Sequence, residues 1–264
     1  MGTITKISTQ HHRKRYNLKI NGSFAFSISE MTLVKFALKK GDVLDRKKIS
    51  QIKKYEVFSK GLLIAFSFLS HHLRTEKEIK QKLITKGFSD AQIQKIITKL
   101  KQEKYIDDTF YAKSLVNSQA NNILAGPKKI ILKLKRVGVS ESDIKTALKD
   151  KYGLQKQIKN ASYLSQKVQK KFSKFPILIQ KEKIKSKLYI KGFDYDLIKQ
   201  IIEKTKFTEE KDQQIKIAKN TINKIWKRYQ KYGKKHIYKV RNYLYRKGYD
   251  LDLINKLIEE KKDE

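Results

Sequence analysis

The chain of 264 residues has no cysteine, only two prolines, and 26 acidic residues against 62 basic ones. Without cysteine there is no disulfide framework, no thiolate zinc site and no cysteine nucleophile. So little proline, with 39% hydrophobic and 33% charged residues, favours thin, helix-rich packing over one large globule. The longest apolar run, Gly61 to Leu69, is much too short to cross a bilayer. The N-terminal MGTITKIST lacks the apolar core of a signal peptide, so a cytoplasmic protein without a membrane partner is expected. Catalytic constellations are missing too: no Walker-type phosphate loop, no HExxH, no Cys/His cluster and no convincing carboxylate pair. Only His11 and His12 speak for a reactive centre, which is too little. His71 and His72 are adjacent, point about 100° apart on a helix and cannot share a metal. The chain reads as a binding protein, not an enzyme, with no cofactor and no metal.

What is abundant is positive charge. The formal net charge is +36, and 54 of the 62 basic residues are lysine. Such a surface attracts polyanions and releases their counterions, while lysine, a point charge, fixes little base geometry. Contact with nucleic acid of weak sequence preference is expected, single-stranded or double-stranded, unless AT-rich codon usage has filled solvated positions with lysine.

The organising feature is a repeat. When Gly87, Gly138, Gly192 and Gly248 are aligned, residue types recur in fixed columns. Eight before stand Ile79, Ile130, Ile184 and Val240; four before, Leu83, Leu134, Leu188 and Leu244. One after come Phe88, Val139, Phe193 and Tyr249; two after, Ser89, Ser140, Asp194 and Asp250. Six after is always isoleucine, at 93, 144, 198 and 254. The columns describe a helix that stops at a left-handed glycine and restarts at a Ser or Asp cap. In the first two copies Gln92 and Asp143 complete the cap as three-residue partners. The glycines stand 51, 54 and 56 residues apart, which leaves room for a third helix in each unit. The fold expected is therefore mainly α, an elongated curved array of tandem three-helix repeats behind a small N-terminal β-hairpin and helix unit.

The expected boundaries are 1–56 for the N-terminal unit and 57–106, 107–153, 154–207 and 208–264 for the four repeats. In the N-terminal unit three alternating stretches, Ile4–Ser8, Tyr16–Ile20 and Phe24–Ile28, read as strands, with Asn21-Gly22 as a hairpin turn. Ser29 is placed to cap a short helix ending near Lys40-Gly41, and Asp45 another carrying Ile49 and Ile52. Arg13, Lys14 and Arg15, followed by Tyr16, read either as a phosphate grip with a stacking ring or as an exposed basic loop.

The first repeat opens with an apolar helix from Val57 to His71, followed by helices from Thr75 to Lys86 and Ser89 to Lys104. Asp107 and Asp108, at the start of the next helix, read as caps rather than metal ligands. Gly126-Pro127 starts the helix that carries Lys128, Lys129, Lys133 and Arg136 around an apolar stripe. The leading helix of repeat three carries Leu154, Ile158, Ala161, Val168 and Phe172 on one face and lysines on the other. That of repeat four carries Ile215, Ala218, Ile222, Ile225 and Tyr229, with Lys227 and Arg228 among its basic residues. Lys239, Arg241, Arg246 and Lys247 interleave with Tyr238, Tyr243 and Tyr245; each tyrosine suits stacking on a base and suits half-burial better.

One run of residues points to a family. Tyr105-Ile106-Asp107-Asp108-x-x-Tyr111-Ala112, then Gly126-Pro127-x-x-Ile130-x-x-x-Leu134-x-x-x-Gly138-Val139, resembles the signature of the RecX regulators of the RecA recombinase. The preceding Arg74-Thr75-x-x-Glu78-Ile79-x-x-Lys82-Leu83 matches the helix upstream of it. The likeness returns in repeats three and four, and the four-repeat length is similar to the long form of low-GC Gram-positive bacteria. Tyr111 replaces a more usual Phe, and Val137 breaks the Lys/Arg-Gly pair; both keep an apolar body. The resemblance implies a non-enzymatic, monomeric protein that docks on RecA filaments assembled on DNA and modulates, by inhibition, ATP hydrolysis and strand exchange. It thereby implies regulation of recombination, DNA repair and the SOS response. The candidate contacts to filament or DNA are the basic residues named above, with Arg74. Tyr105, Asp107, Asp108, Gly126 and the four turn glycines are expected to be structural.

The alternative is a sequence-independent DNA-binding protein of tandem helix-turn-helix units, which the Gly-x5-Ile spacing fits. Leucine at the position where close helix crossing wants a small residue counts against it. So does the scarcity of Arg, Asn and Gln on helices such as Asp90 to Leu100.

Overall fold

The structure, a computed structural model, describes residues 1–10, 15–207 and 211–263. It is mainly helical, with three-helix repeats following a small β unit. The chain packs as two compact units, Met1–Tyr111 with Arg136–Ser140, and Ala112–Lys135 with Glu141–Glu264.

In the first unit β1 (Gly2–Thr9), β2 (Arg15–Ile20), β3 (Ser23–Ser29) and β4 (Val43–Leu44) form an antiparallel sheet in the order β3-β2-β1-β4. Asn21 and Gly22 both take positive φ, 50° and 83°, the mirror-image turn that suits the twist of two paired strands. Strand β4 was not expected: two residues that pair with Gly2 and Thr3 leave no local pattern. Helix α1 (Glu30–Lys35) is capped by Ser29, but stops at Lys35 rather than near Lys40. Ala37 turns left-handed at φ 44° and the amide of Leu38 reaches back to the Leu33 carbonyl, which puts Leu38 into the sheet core.

Helix α2 (Arg46–Leu69), capped by Asp45, runs unbroken across the expected boundary at 56/57 and ends before His71. Its two halves serve different cores. Ile49 and Ile52 pack with Ile4, Leu18, Ile28 and Leu44 of the sheet, whereas Leu62 and Ala65 pack with Ile79, Leu83, Ile93 and Ile97. The latter belong to α3 (Glu76–Ile84) and α4 (Asp90–Gln102). Thr75 and Glu78 form a capping box, with the Thr75 amide donating to Glu78 Oε2 at 3.0 Å, and the Ser89 amide donates likewise to Gln92 at 2.9 Å. At Gly61 a Cβ would lie 2.2 Å from Ile96 Cδ1, so this glycine lets α4 cross α2 closely.

The second set of helices in sequence is α5 (Asp108–Asn121), α6 (Pro127–Arg136) and α7 (Glu141–Lys151). In the second unit α8 (Leu154–Phe172), α9 (Ile177–Lys191) and α10 (Tyr195–Lys204) share a core of Ala161, Leu164, Ile184, Leu188, Phe193 and Ile198. Helices α11 (Lys211–Gln230), α12 (His236–Arg246) and α13 (Leu251–Lys262) share one of Ile222, Ile225, Val240, Leu244, Tyr249 and Ile254. Three residues expected in these cores are not in them: Phe172 lies outside its cluster, and Leu154 and Ile215 are exposed. Leu154 is 63% exposed and Ile215 37%, each near the free start of its helix, while Leu164 and Gln214 take the buried places.

The four repeat glycines all have φ between 79° and 88°. At Gly87, Gly192 and Gly248 the turn closes with the same two bonds. The glycine amide donates three residues back, and the following amide donates five back, to Leu83, Leu188 and Leu244.

Three of these turns also seat on an earlier helix. The 136–140 turn lies on the start of α3, where Thr75 Oγ1 donates to the Val137 carbonyl at 2.7 Å and Lys77 Nζ to the Arg136 carbonyl at 3.2 Å. The Gly192 turn lies on the start of α6. There the Gly126 amide donates to the Lys191 carbonyl at 2.7 Å and the Lys128 amide to the Gly192 carbonyl at 3.0 Å. The Gly248 turn lies on Leu178, at the start of α9. At the Gly192 turn free carbonyls at one helix end thus meet free amides at another helix start, which satisfies both sets and aligns opposite dipole ends, whereas side chains of α3 donate to the 136–140 turn and Leu178 meets Gly248 by packing alone.

Candidate nucleic-acid interface

The acidic residues are few enough that their partners can be followed. Glu56 receives Arg15 at 3.2 Å while its other oxygen accepts from the Ser29 amide (2.8 Å) and Thr32 hydroxyl (2.6 Å). Arg15 is therefore part of the joint between sheet and α2, not a phosphate grip; Arg13 and Lys14 lie outside the described residues. Arg74 is likewise engaged, bonded to Glu78 at 3.2 Å and stacked 4.2 Å from the Phe68 ring centroid. Its guanidinium is used to hold the α2–α3 junction.

On α6 the four candidates separate. Lys128 Nζ lies 2.8 Å from Asp194, a hydrogen bond that holds the lysine above and the carboxylate below its usual pKa. Lys129 packs its backbone and Cβ under Gly192. Lys133 and Arg136 stay exposed with no ion pair to a carboxylate among the described residues.

The aspartates cap, as expected, and one does so across helices. Asp107 Oδ1 accepts from the Phe110 amide at 2.8 Å, at the start of its own helix. Asp108 Oδ1 accepts from the Glu76 amide at 2.9 Å, at the start of α3. Tyr105 lies edge-on to Phe66 at 4.8 Å. Gly126 has its reason in a contact: a Cβ there would lie 2.3 Å from the Gly192 carbonyl carbon and the Phe193 nitrogen.

The candidate cations that gather around a concave surface are those of the last repeat. Lys239 and Arg246, with Lys247, Asn242, Tyr229, Tyr238 and Tyr243 and with Ile179 of α9, line a cleft of 540 Å³. A second cleft, of 350 Å³, shares Ile179, Tyr243 and Lys247 and adds Phe172, Phe175, Lys183, Ile217, Thr221 and Tyr249. Among the described residues no carboxylate lines either. The rings are linked: Tyr229 lies 6.0 Å from Tyr232 and 6.2 Å from Tyr243, and Lys239 sits 4.2 Å over Tyr232. Burial pushes the Tyr249 phenol up, against a hydrogen bond with Thr221 that pulls it down, so it stays a neutral hydroxyl.

Tyr238 and Tyr245 are 65% and 58% exposed, so they are not the half-buried side chains expected; Tyr243 alone packs against the core. Both project from α12 on faces that Val240 and Leu244 do not occupy. Arg241 on the same helix, and Lys227 and Arg228 on α11, are exposed but do not line the clefts. Lys183 and Phe172 were missed because nothing in sequence brings the α8–α9 corner to α12. Aromatic faces ringed by ammonium groups without carboxylates can hold a phosphate backbone and stack unpaired bases. No group of three or more His, Asp or Glu side chains suited to a metal occurs among the described residues, and no helix among them is long and apolar enough to cross a membrane.

Comparison with known proteins agrees with the resemblance read from the sequence. The family model of the regulatory protein RecX N-terminal domain matches residues 2–45. Those of the RecX first, second and third three-helix domains match 62–100, 107–148 and 212–258. The chain is 38% identical to the regulatory protein RecX of Leuconostoc mesenteroides over 98% of its own length and 97% of the relative's. It is 31% identical to that of Bacillus subtilis over 98% and 99%. A crystal structure of regulatory protein RecX matches with a TM-score of 0.64 at 31% identity, covering 77% of this chain and all of the other. A crystal structure of RecX from Lactobacillus salivarius matches at 0.54 and 34%, covering 56% and 96%.

Proposed function

The chain belongs to the RecX family of regulatory proteins, and from that premise we propose that it regulates the RecA recombinase by docking on filaments assembled on DNA. Docking lowers ATP hydrolysis and strand exchange, and so restrains recombination, repair and the SOS response. The protein does this in the cytoplasm as a monomer, by binding and without chemistry of its own. The observation that carries the reading is the family match along nearly the whole chain at 38% identity.

The tandem repeats supply several weak contacts to one polymer, so affinity is multivalent and the loss of one contact region weakens binding disproportionately. Within this reading the basic and aromatic clefts of the last repeat hold the DNA strand, with Lys239 and Arg246 on phosphates and Tyr238 available for stacking. Lys133 and Arg136 add charge from α6. Arg15, Arg74 and Lys128 have no part in it, since their partners are within the chain.

The test is capture by preformed filaments. Sedimented RecA filaments on single-stranded DNA are expected to carry the protein saturably, and beyond what the same bare DNA carries. The double substitution Lys239→Ala, Arg246→Ala should reduce both, with a log-log salt slope on bare single strands shallower by about 1.4. Equal capture by bare DNA and by filaments would overturn the reading in favour of a plain, sequence-independent DNA-binding protein.

A further inference from the structure

A further cleft, in the first unit, is lined by none of the candidate residues considered so far. It is a trough of 720 Å³ between the first half of α2 and the length of α4. Its apolar floor is made of rings alone. Tyr55 meets Phe36 edge-on at 5.6 Å and Phe58 at 5.7 Å, and among the described residues no aliphatic side chain lines the site. Its rim carries Lys54, Lys95 and Lys99 with three glutamines, and no carboxylate among the described residues. Lys99 is held by Glu103 at 2.7 Å, which leaves Lys54 and Lys95 exposed with no ion pair to a carboxylate among the described residues.

We propose that this cleft binds an unstacked base of single-stranded nucleic acid, with the base against Tyr55 and Phe58 and the adjoining phosphate on Lys54 and Lys95. Each part of the site matches a part of that ligand. Ring faces accept any base, because every base has a π-face. The glutamine amides offer a donor and an acceptor side by side, which suits a base edge, and two strongly hydrated point charges suit phosphate. A groove for an apolar peptide helix would instead present adaptable aliphatic or Met side chains at helical spacing. The trough is open to solvent along its length, so a strand can lay one base in it while the chain continues on either side. The proposal deepens the function given above and rests on its DNA contact, but not on the recombinase.

The experiment uses the full chain without recombinase and a fluorescein-labelled oligothymidylate of 15 nucleotides, read by anisotropy across a salt series. A parallel oligomer containing 5-iodouracil is photo-crosslinked and the attachment mapped by mass spectrometry. The expected crosslink is to Tyr55 or Phe58. Tyr55→Leu should weaken binding about tenfold, as the loss of one stack, and Lys54→Ala with Lys95→Ala should make the salt slope shallower by about 1.4. Circular dichroism is run on each variant and should match wild type, the check mattering most for Tyr55→Leu, which replaces a half-buried ring of the floor.

Variants that bind like wild type, with crosslinks confined to the last repeat, would overturn the cleft assignment while leaving the DNA contact in place. If wild type fails to bind the oligomer yet still suppresses recombinase ATPase, the DNA contact falls and the recombinase reading stands. If Tyr55→Leu spares the oligomer but loses capture by filaments, the cleft holds a protein segment and the proposal is wrong.

Discussion

Gly87 and Gly192 occupy the same column of the repeat and take nearly the same backbone conformation, φ 81° and 88°. A Cβ added at Gly87 would meet nothing within 4 Å, whereas at Gly192 it would lie 2.7 Å from both the backbone nitrogen and the Cβ of Lys129. The first glycine answers only to its own turn; the second answers also to the helix start on which it rests. A residue repeated four times is thus repeated for two different reasons, and the first copy, with no three-helix repeat before it, isolates the simpler one. Capping units of repeat arrays differ from internal units in just this way.

Substitutions can break the comparison, and their sizes follow from what each Cβ meets. The largest effect is expected at Gly126→Ala, where the new atom falls 2.3 Å from backbone that cannot rotate away. Urea unfolding followed by Trp226 fluorescence should show a loss of about 3 kcal/mol or more. Gly192→Ala adds left-handed strain to a contact with the Lys129 backbone, and about 3 kcal/mol is again expected by the same measurement. Gly87→Ala carries the strain alone, so circular dichroism during unfolding should register only about 1 kcal/mol. Equal losses at 87 and 192 would mean that the turn, and not the seat, sets the cost.

The smallest effect concerns charge at a turn seat. Burial pushes the Glu76 carboxyl up, but Lys101 and Lys80, the latter 2.6 Å away, outweigh it and hold the group below its usual range. A lowered pKa means stability that is present at neutral pH and lost as pH falls through the folded-state value. Glu76→Gln should therefore cost under about 1 kcal/mol at pH 7 in urea unfolding, a difference that shrinks toward nothing as the medium is acidified. A gap that persists in acid would assign the effect to packing.

Much of the fold was legible because its signals are local. The glycine columns, the Thr75 and Ser89 caps and the Asn21-Gly22 turn each act within a few residues of the chain, and each is where the spacing puts it. The expected break at 56/57 was wrong because the change from amphipathic to apolar pattern along α2 marks a change of neighbour, from sheet to α3 and α4, not an end of helix. Strand β4 exists only through its pairing with β1.

The candidate site was legible in residue type and not in partnership. Arg15 and Lys128 look like any other cation until Glu56 and Asp194, distant in sequence, are seen beside them. The clefts bring together elements distant in sequence, so their lysines were visible as charges while Phe172 was legible only as an apolar helix face, and Lys183 and Tyr55 carried no local mark of a cleft.

The claim on which the rest depends is that this protein governs RecA activity on DNA. It is tested most directly by titrating the full chain into RecA hydrolysing ATP on single-stranded DNA. Hydrolysis is predicted to fall steeply as the protein approaches stoichiometry with the recombinase, and a rate that stays flat through that range would contradict the account.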